Sequence, residues 1–297
     1  MAEVITLQHN EVSYCYSDFL PDIVRVVDAG YDMDEQGRVG NIAYVYGNDF
    51  QAHLTWTSMD ANEQIQKGTL ARVFWPTLLT EVDGSIPIVR LVPHSLVDHS
   101  VNLFETIPTA WSRNFELIDR AKELWTQLPE NFRVLFNELF WDGAEFRRYV
   151  TAPASINGHH NGWGGNLRHG VEVAEHAERI SLDVPGVSTE VLILAALIHN
   201  TPIANGFSWM DNQWVQLSKY AQRDCRQRFK SQITGILERL PGLLTDSERQ
   251  TLWNILFANC EVDEAAWQPL ATIEKEILSM AGRLSCALNL RNQGGVQ

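Results

Sequence analysis

The chain has 297 residues, 45% hydrophobic and 20% charged, which is the composition of one large or two ordinary globular domains rather than of a disordered chain. Lys and Arg number 23 against 37 Asp and Glu, a net charge of −14. A protein that lives by phosphate contacts carries a basic footprint, so any nucleic-acid site here must be a local patch. The acid excess is concentrated, because residues 1–110 hold 5 basic and 15 acidic residues while 111–297 hold 18 and 22. No apolar run reaches the roughly 18 residues of a membrane-spanning helix. The first residues (MAEVITLQHNE) have neither the basic start nor the apolar stretch of a secretory signal. Cys15, Cys225, Cys260 and Cys286 are scattered and form no CxxC pair. That argues against a zinc ribbon or disulfide framework and fits a cytoplasmic protein without membrane attachment.

The first third reads as β. Alternating or short apolar runs occur at 22–27, 41–46 (NIAYVY), 51–57 (QAHLTWT), 69–75 (TLARVFW) and 85–91 (SIPIVRL). Turn residues separate them at Gly47-Asn48-Asp49, Lys67-Gly68 and Asp83-Gly84. About five short strands in so short a stretch predict a small barrel or sandwich over 1–95. Residues 96–112 carry Pro108 and read as a connector. From Asn114 the apolar spacing turns helical, as in Phe115, Ile118, Ala121 and Leu124. Residues 151–166 interrupt it with Pro153 and several glycines. Helices are then expected at about 165–181, 188–200, 214–239, 246–259 and 271–290, so 113–292 is an all-helical domain and 293–297 a tail. The fold class is α+β in two domains.

All nine histidines lie at or before residue 199. His159 and His160 fall in the Gly-rich loop, His169 on the next helix, and His199 closes the run 192–200 (LILAALIHN). That run is apolar all round, so its helix must be buried. A His-Asn pair ending a buried helix needs partners, because an unpaired buried polar group costs ~1–3 kcal/mol. Metal coordination would supply them, and so would ordinary hydrogen bonds.

The stretch 152–177 (APASINGHHNGWGGNLRHGVEVAEHA), followed by Ala195-Ala196-Leu197-Ile198-His199-Asn200, resembles the HD part of the bacterial 3′–5′ exoribonucleases that join an OB-fold to an HD domain. The resemblance covers roughly residues 20–290. It implies an N-terminal OB-like β-barrel, an HD-like helical domain, and a metal-dependent phosphodiester hydrolase with Mn²⁺ or another divalent ion. His169, His199 and an aspartate in place of Asn200 would then be ligands, with Arg168 facing a phosphate and His159 and His160 lining the substrate pocket; Trp163, in the Gly-rich loop, either caps a pocket or anchors the loop.

The departures from that pattern all point one way. Asn200 offers a neutral amide where a charged hard carboxylate is expected. Thr201-Pro202-Ile203 replaces the usual continuation, Ala258-Asn259 stands where a His pair is expected, and Gly282 stands near the closing aspartate. Glu172, Glu175 and Asp211 are the carboxylates near enough in sequence to rebuild a site. The reading that follows is a decayed metal centre with no cofactor expected and a non-catalytic role in binding nucleic acid or protein. The alternatives are an active exonuclease with an atypical site and an accessory protein of a conjugative or mobile element.

Two features could bind single-stranded RNA or DNA, or a nucleic-acid-processing protein. In 219–230 (KYAQRDCRQRFK), Lys219, Arg223, Arg226 and Lys230 step by helical intervals onto one face. In the β region Tyr44 and Tyr46 alternate to one face of a strand, as base-stacking aromatics of an OB-fold would. An oligomer is compatible with the resemblance.

Overall fold

The computed structural model describes residues 20–33, 39–57, 65–82, 84–155, 158–257 and 272–294. His9, Cys15, Ala258, Asn259 and Cys260 lie outside the described residues. The chain is mixed α+β and divides into two compact units, Met1–Ala110 with Trp141–Ala144, and Trp111–Phe140 with Glu145–Gln297. No helix among the described residues is long and apolar enough to cross a membrane.

The first unit is built on a six-stranded sheet. Its strands are β1 (Ile23–Met33), β2 (Val39–Gly47), β3 (Phe50–Trp56), β4 (Leu70–Phe74), β5 (Ser85–Pro87) and β6 (Arg90–Pro93). Their order is β5-β3-β2-β1-β4-β6. All pairings are antiparallel except β3 with β5, which is parallel. The run expected as one strand over 85–91 is thus two. Its first half pairs with β3 and its second with β4. Between them Ile88 N–H donates to Thr55 O and Val89 N–H to Phe74 O, so adjacent residues bond to opposite edges of the sheet. Val24, Val26, Val45, Leu54 and Leu91 fill the core on one side. Their alternation with more exposed neighbours is the period-2 pattern visible in NIAYVY and QAHLTWT.

Arg25 breaks that pattern. It is wholly buried between core valines, and its guanidinium donates to Thr106 O and Oγ1 and to Gly68 O. Thr106 belongs to a single 3-10 turn, Leu103–Thr106, whose Leu103 and Phe104 are fully buried. The stretch expected to be a connector therefore packs, as far as Ala110, within the first unit. Burial pulls the Arg25 guanidinium down to about 9, with the Asp142 charge opposing that, so it stays charged at neutral pH.

The second unit is helical. Its helices are α1 (Phe115–Gln127), α2 (Glu130–Phe140), α3 (Gly143–Thr151, of which Gly143 and Ala144 belong to the first unit), α4 (Gly165–Ser181), α5 (Thr189–Ile198), α6 (Thr201–Ala204), α7 (Lys219–Arg239), α8 (Asp246–Phe257) and α9 (Ile273–Gly294). Ser188 caps α5 by accepting from Val191 N–H, and every residue from Val191 to Ile198 is buried. α5 packs against α2, α4, α8 and α9. The helix expected from 214 starts instead at Lys219. Before it stands a hairpin, β7 (Phe207–Met210) and β8 (Gln213–Gln216), whose Asp211 and Asn212 both have positive φ. That pair makes the tight turn a two-residue hairpin needs, and Trp209 pairs directly with Trp214 across it.

Arg25→Leu removes the donors for Gly68 O and Thr106 while keeping apolar bulk. Chemical denaturation is expected to show the first unit losing about 3 kcal/mol, with Arg25→Lys recovering little because a single ammonium cannot span both acceptors.

Candidate functional site

The loop 152–164 is tied to the start of α4 by backbone hydrogen bonds. Ala154 N–H donates to His160 O, Gly164 N–H to Thr151 O, and Asn166 N–H to Ala152 O. A Cβ on Gly165 would lie 1.9 Å from His160 O, so only glycine lets the loop close this tightly on the helix. The closure places His159 beside His169, with ring centroids 4.8 Å apart, and His160 behind it. α4 carries His169 and meets α5 closely at Gly170, where an added Cβ would stand 3.4 Å from Leu197 O. His199, at the C-terminal end of α5, brings its ring to 5.3 Å from that of His169.

These three imidazoles open onto one cleft of about 860 Å³ in the helical unit. Its other walls come from α7, which gives Arg226, and from one face of α9, which gives Lys275, Ser279, Gly282, Arg283 and Cys286. Among the described lining residues there is no Asp or Glu. Three cations and, among the described residues, no carboxylate line the cleft of a chain whose net charge is −14.

Behind His169 lies a polar relay. Ser285 Oγ donates to Glu172 at 2.9 Å and sits 3.1 Å from both His169 Nδ1 and His160 Nε2. Its one hydrogen goes to Glu172, so Ser285 Oγ accepts from His169 Nδ1–H. His199 Nδ1–H donates to Ala196 O at 2.7 Å. Both rings therefore keep Nε2 as a lone pair. Burial lowers the pKa of His159, His169 and His199, and neighbouring imidazoles add to the effect, so all three are neutral near pH 7. Burial pushes the Glu172 carboxyl up, but hydrogen bonds from His160 and Ser285 and the Arg168 charge outweigh it and hold it below the usual range.

The structure thus brings His159, His169, His199 and Asn200 together and leaves other expected residues out. Asn200 Nδ2 donates to Asn166 Oδ1, whose own amide donates to Tyr149 O, so this amide is tied into the helix framework. His160 is 4% exposed and supports the loop rather than lining the cleft; its backbone N–H donates to Asn289 Oδ1. Arg168 follows the helix turn to an exposed position away from the cleft. Trp163 also lies off the cleft. Its Nε1 donates to Trp111 O, and its ring sits 5.0 Å from Trp209 and 5.8 Å from Trp214 of the hairpin. Of the basic stripe only Arg226 lines the cleft. Lys230 lies over the Trp253 ring, and Lys219 and Arg223 are exposed. In the first unit Tyr46 is 6% exposed and offers no face to a base, while Tyr44 is half-buried with its ring tilted against that of His53 at 4.8 Å.

No carboxylate rebuilds a hard centre among the described residues. Glu172 is held by Ser285 and His160, Glu175 by Arg120, and Asp211 lies in the hairpin turn. The residues present do not fit the metal site that the resemblance implies, in which a carboxylate stands at Asn200. Sequence reasoning missed Ser285, Cys286, Lys275 and Arg283. All four lie on α9, which reaches α4 only through tertiary packing.

Comparisons with protein-family models, with curated proteins and with solved structures give no match.

The neutral histidines carry a pH signature. Unfolded, they take up protons as pH drops below their ordinary value of 6.5; folded, they resist. The unfolded state then binds more protons, so stability is full above that value and lost as pH falls through it. Tm is expected to fall between about pH 7 and about pH 5, and His169→Asn combined with His199→Asn to flatten that fall.

Proposed function

We propose that the chain is a non-catalytic binding protein of the OB–HD type, whose helical cleft takes a phosphate-bearing ligand, with single-stranded nucleic acid as the ligand class. One observation carries this. The cleft is lined by Arg226, Lys275 and Arg283 and, among the described residues, by no carboxylate, while the amide of Asn200 is committed to Asn166. A hydrolytic centre of two hard metals needs charged oxygen ligands to bridge the ions and to neutralise the phosphoryl group. Here the positive charge comes from side chains, which bind and orient a phosphate but do not activate water. Guanidinium groups suit that task through their paired donors. His159, His169 and His199, neutral and lining the same cleft, add hydrogen-bonding groups for sugar or base.

The strand arrangement of the first unit supports the OB-like half of this reading. The parallel β3–β5 pair, and the way residues 88 and 89 join both sheet edges, fit a small closed barrel. The antiparallel α4–α5 pair, with His169 and His199 facing one cleft, supports the HD-like half. Binding by the barrel itself is the weaker part, since Tyr46 is buried and residues 1–110 hold three acidic groups for each basic one.

Fluorescence anisotropy with a labelled single-stranded RNA tests the reading. The wild-type chain is expected to bind with a salt-dependent affinity, and Arg226→Ala with Arg283→Ala to weaken binding and to flatten the log–log salt slope by about 0.7 per cation removed. In Mn²⁺ the RNA keeps its length, and Asn200→Asp alone restores no cleavage. Progressive shortening of the RNA by the wild-type chain, or binding indifferent to both arginines, would overturn the proposal.

A further inference from the structure

We infer that His159, His169 and Cys286 form a binding site for a single borderline or soft divalent cation, of which Zn²⁺ is the type, with its open coordination position facing the cleft. The inference does not depend on phosphate binding there.

One ligand atom from each of these side chains lies within 4.8 Å of the other two. They come from three separate places: the Gly-rich loop, the first part of α4, and the middle of α9. The loop is held by the closure at Gly165, and α4 is packed against α9. The three groups are therefore brought together by the fold and not by sequence proximity.

The surroundings match those of a metal ligand. A coordinating imidazole usually donates its other ring N–H to a fixed acceptor, which sets the tautomer and aims the lone pair. His169 does this through Ser285 Oγ, and Ser285 passes its own hydrogen to Glu172. The carboxylate here does not touch the metal position but orients a residue that does. Cys286 follows Ser285 directly, so the same turn of α9 carries both the supporting hydroxyl and the ligand thiol.

The donor set selects the ion. Two imidazoles and a thiol offer nitrogen and sulfur, which suit Zn²⁺ and its probe Co²⁺ and not the hard ions Mn²⁺ or Mg²⁺. Cys286 is also the one described cleft-lining side chain able to become an anion. On binding, its S–H proton passes to solvent and the thiolate offsets one of the two metal charges. Three protein ligands leave a fourth position open, as in sites that take a water or a substrate atom.

Co²⁺ titration of the tag-free full chain, followed by absorption, provides the test. Wild type is expected to bind one Co²⁺ per chain, with visible bands of tetrahedral intensity and a near-ultraviolet thiolate charge-transfer band, all displaced by Zn²⁺. Cys286→Ser abolishes the charge-transfer band. Ser285→Ala keeps it and weakens binding roughly 10- to 100-fold. Cys225→Ser, at the buried thiol that contacts Asn205 O, changes neither. Circular dichroism of each apo variant confirms that it is folded. Absence of the charge-transfer band in wild type, its survival in Cys286→Ser, or Co²⁺ binding that depends on His199 and not on Cys286 would each overturn the inference.

Discussion

Helix α5 is buried at every residue from Val191 to Ile198, so it must be covered on all sides, and the helices that cover it set the geometry of the cleft. An apolar segment of that kind cannot lie at a surface. Once α2, α4, α8 and α9 surround it, its last residues are the first place where polar groups can emerge. His199 and Asn200 sit there, beside the free carbonyls of the helix end. Ala196 O takes the Nδ1–H of His199, and Asn166 takes the amide of Asn200. The site is thus a consequence of how a buried helix ends: its terminal groups must find partners, and those partners fix which atoms remain available.

The same accounting explains why Ser285 matters more than its size suggests. A hydroxyl with one hydrogen and two lone pairs stands between two imidazoles and a carboxylate. Giving the hydrogen to Glu172 leaves it an acceptor for His169, and this fixes the tautomer of a histidine whose other nitrogen faces the cleft. His160 is the unsatisfied end of this chain, its buried Nδ1 having no hydrogen-bond partner. Glu172, one turn along α4 from His169, acts through a neighbour on α9.

Much of this architecture was legible in the chain, and what was not has physical reasons. The alternation in NIAYVY and the helical spacing after Asn114 are imposed by burial on one face, so they survive into the sequence. The mixed α+β class and the positions of α4 and α5 follow from them. The hairpin before α7 was missed because Trp214 and Val215 also fit a helical start; the decisive signal was Asp211-Asn212, two residues that tolerate positive φ. Arg168 is expected in the pocket on the resemblance and Trp163 on its place in the Gly-rich loop, and neither lines the cleft. One helical position is a rotation of about 100°, which carries Arg168 out to solvent. Cys286 could not be found by spacing, because α9 reaches His169 only through tertiary packing, 117 residues down the chain. Judging the cysteines by CxxC pairs also hid a thiol whose partners are histidines.

Charge ties the cleft to the rest of the chain. The acid excess, concentrated in residues 1–110, is screened within ~8–10 Å at physiological salt, so it does not decide what binds in a cleft lined by Arg226, Lys275 and Arg283. Arg226, Lys275 and Arg283 put positive charge on the cleft walls, which favours an anion that enters. A cation at the histidine–cysteine cluster would add to that charge and so favour the anion further, as the anion would in turn favour the cation. Coupling of this kind is reciprocal by thermodynamic necessity. In a cleft whose charge comes from arginines, a cation at the thiol and a phosphate would each be held more firmly with the other present.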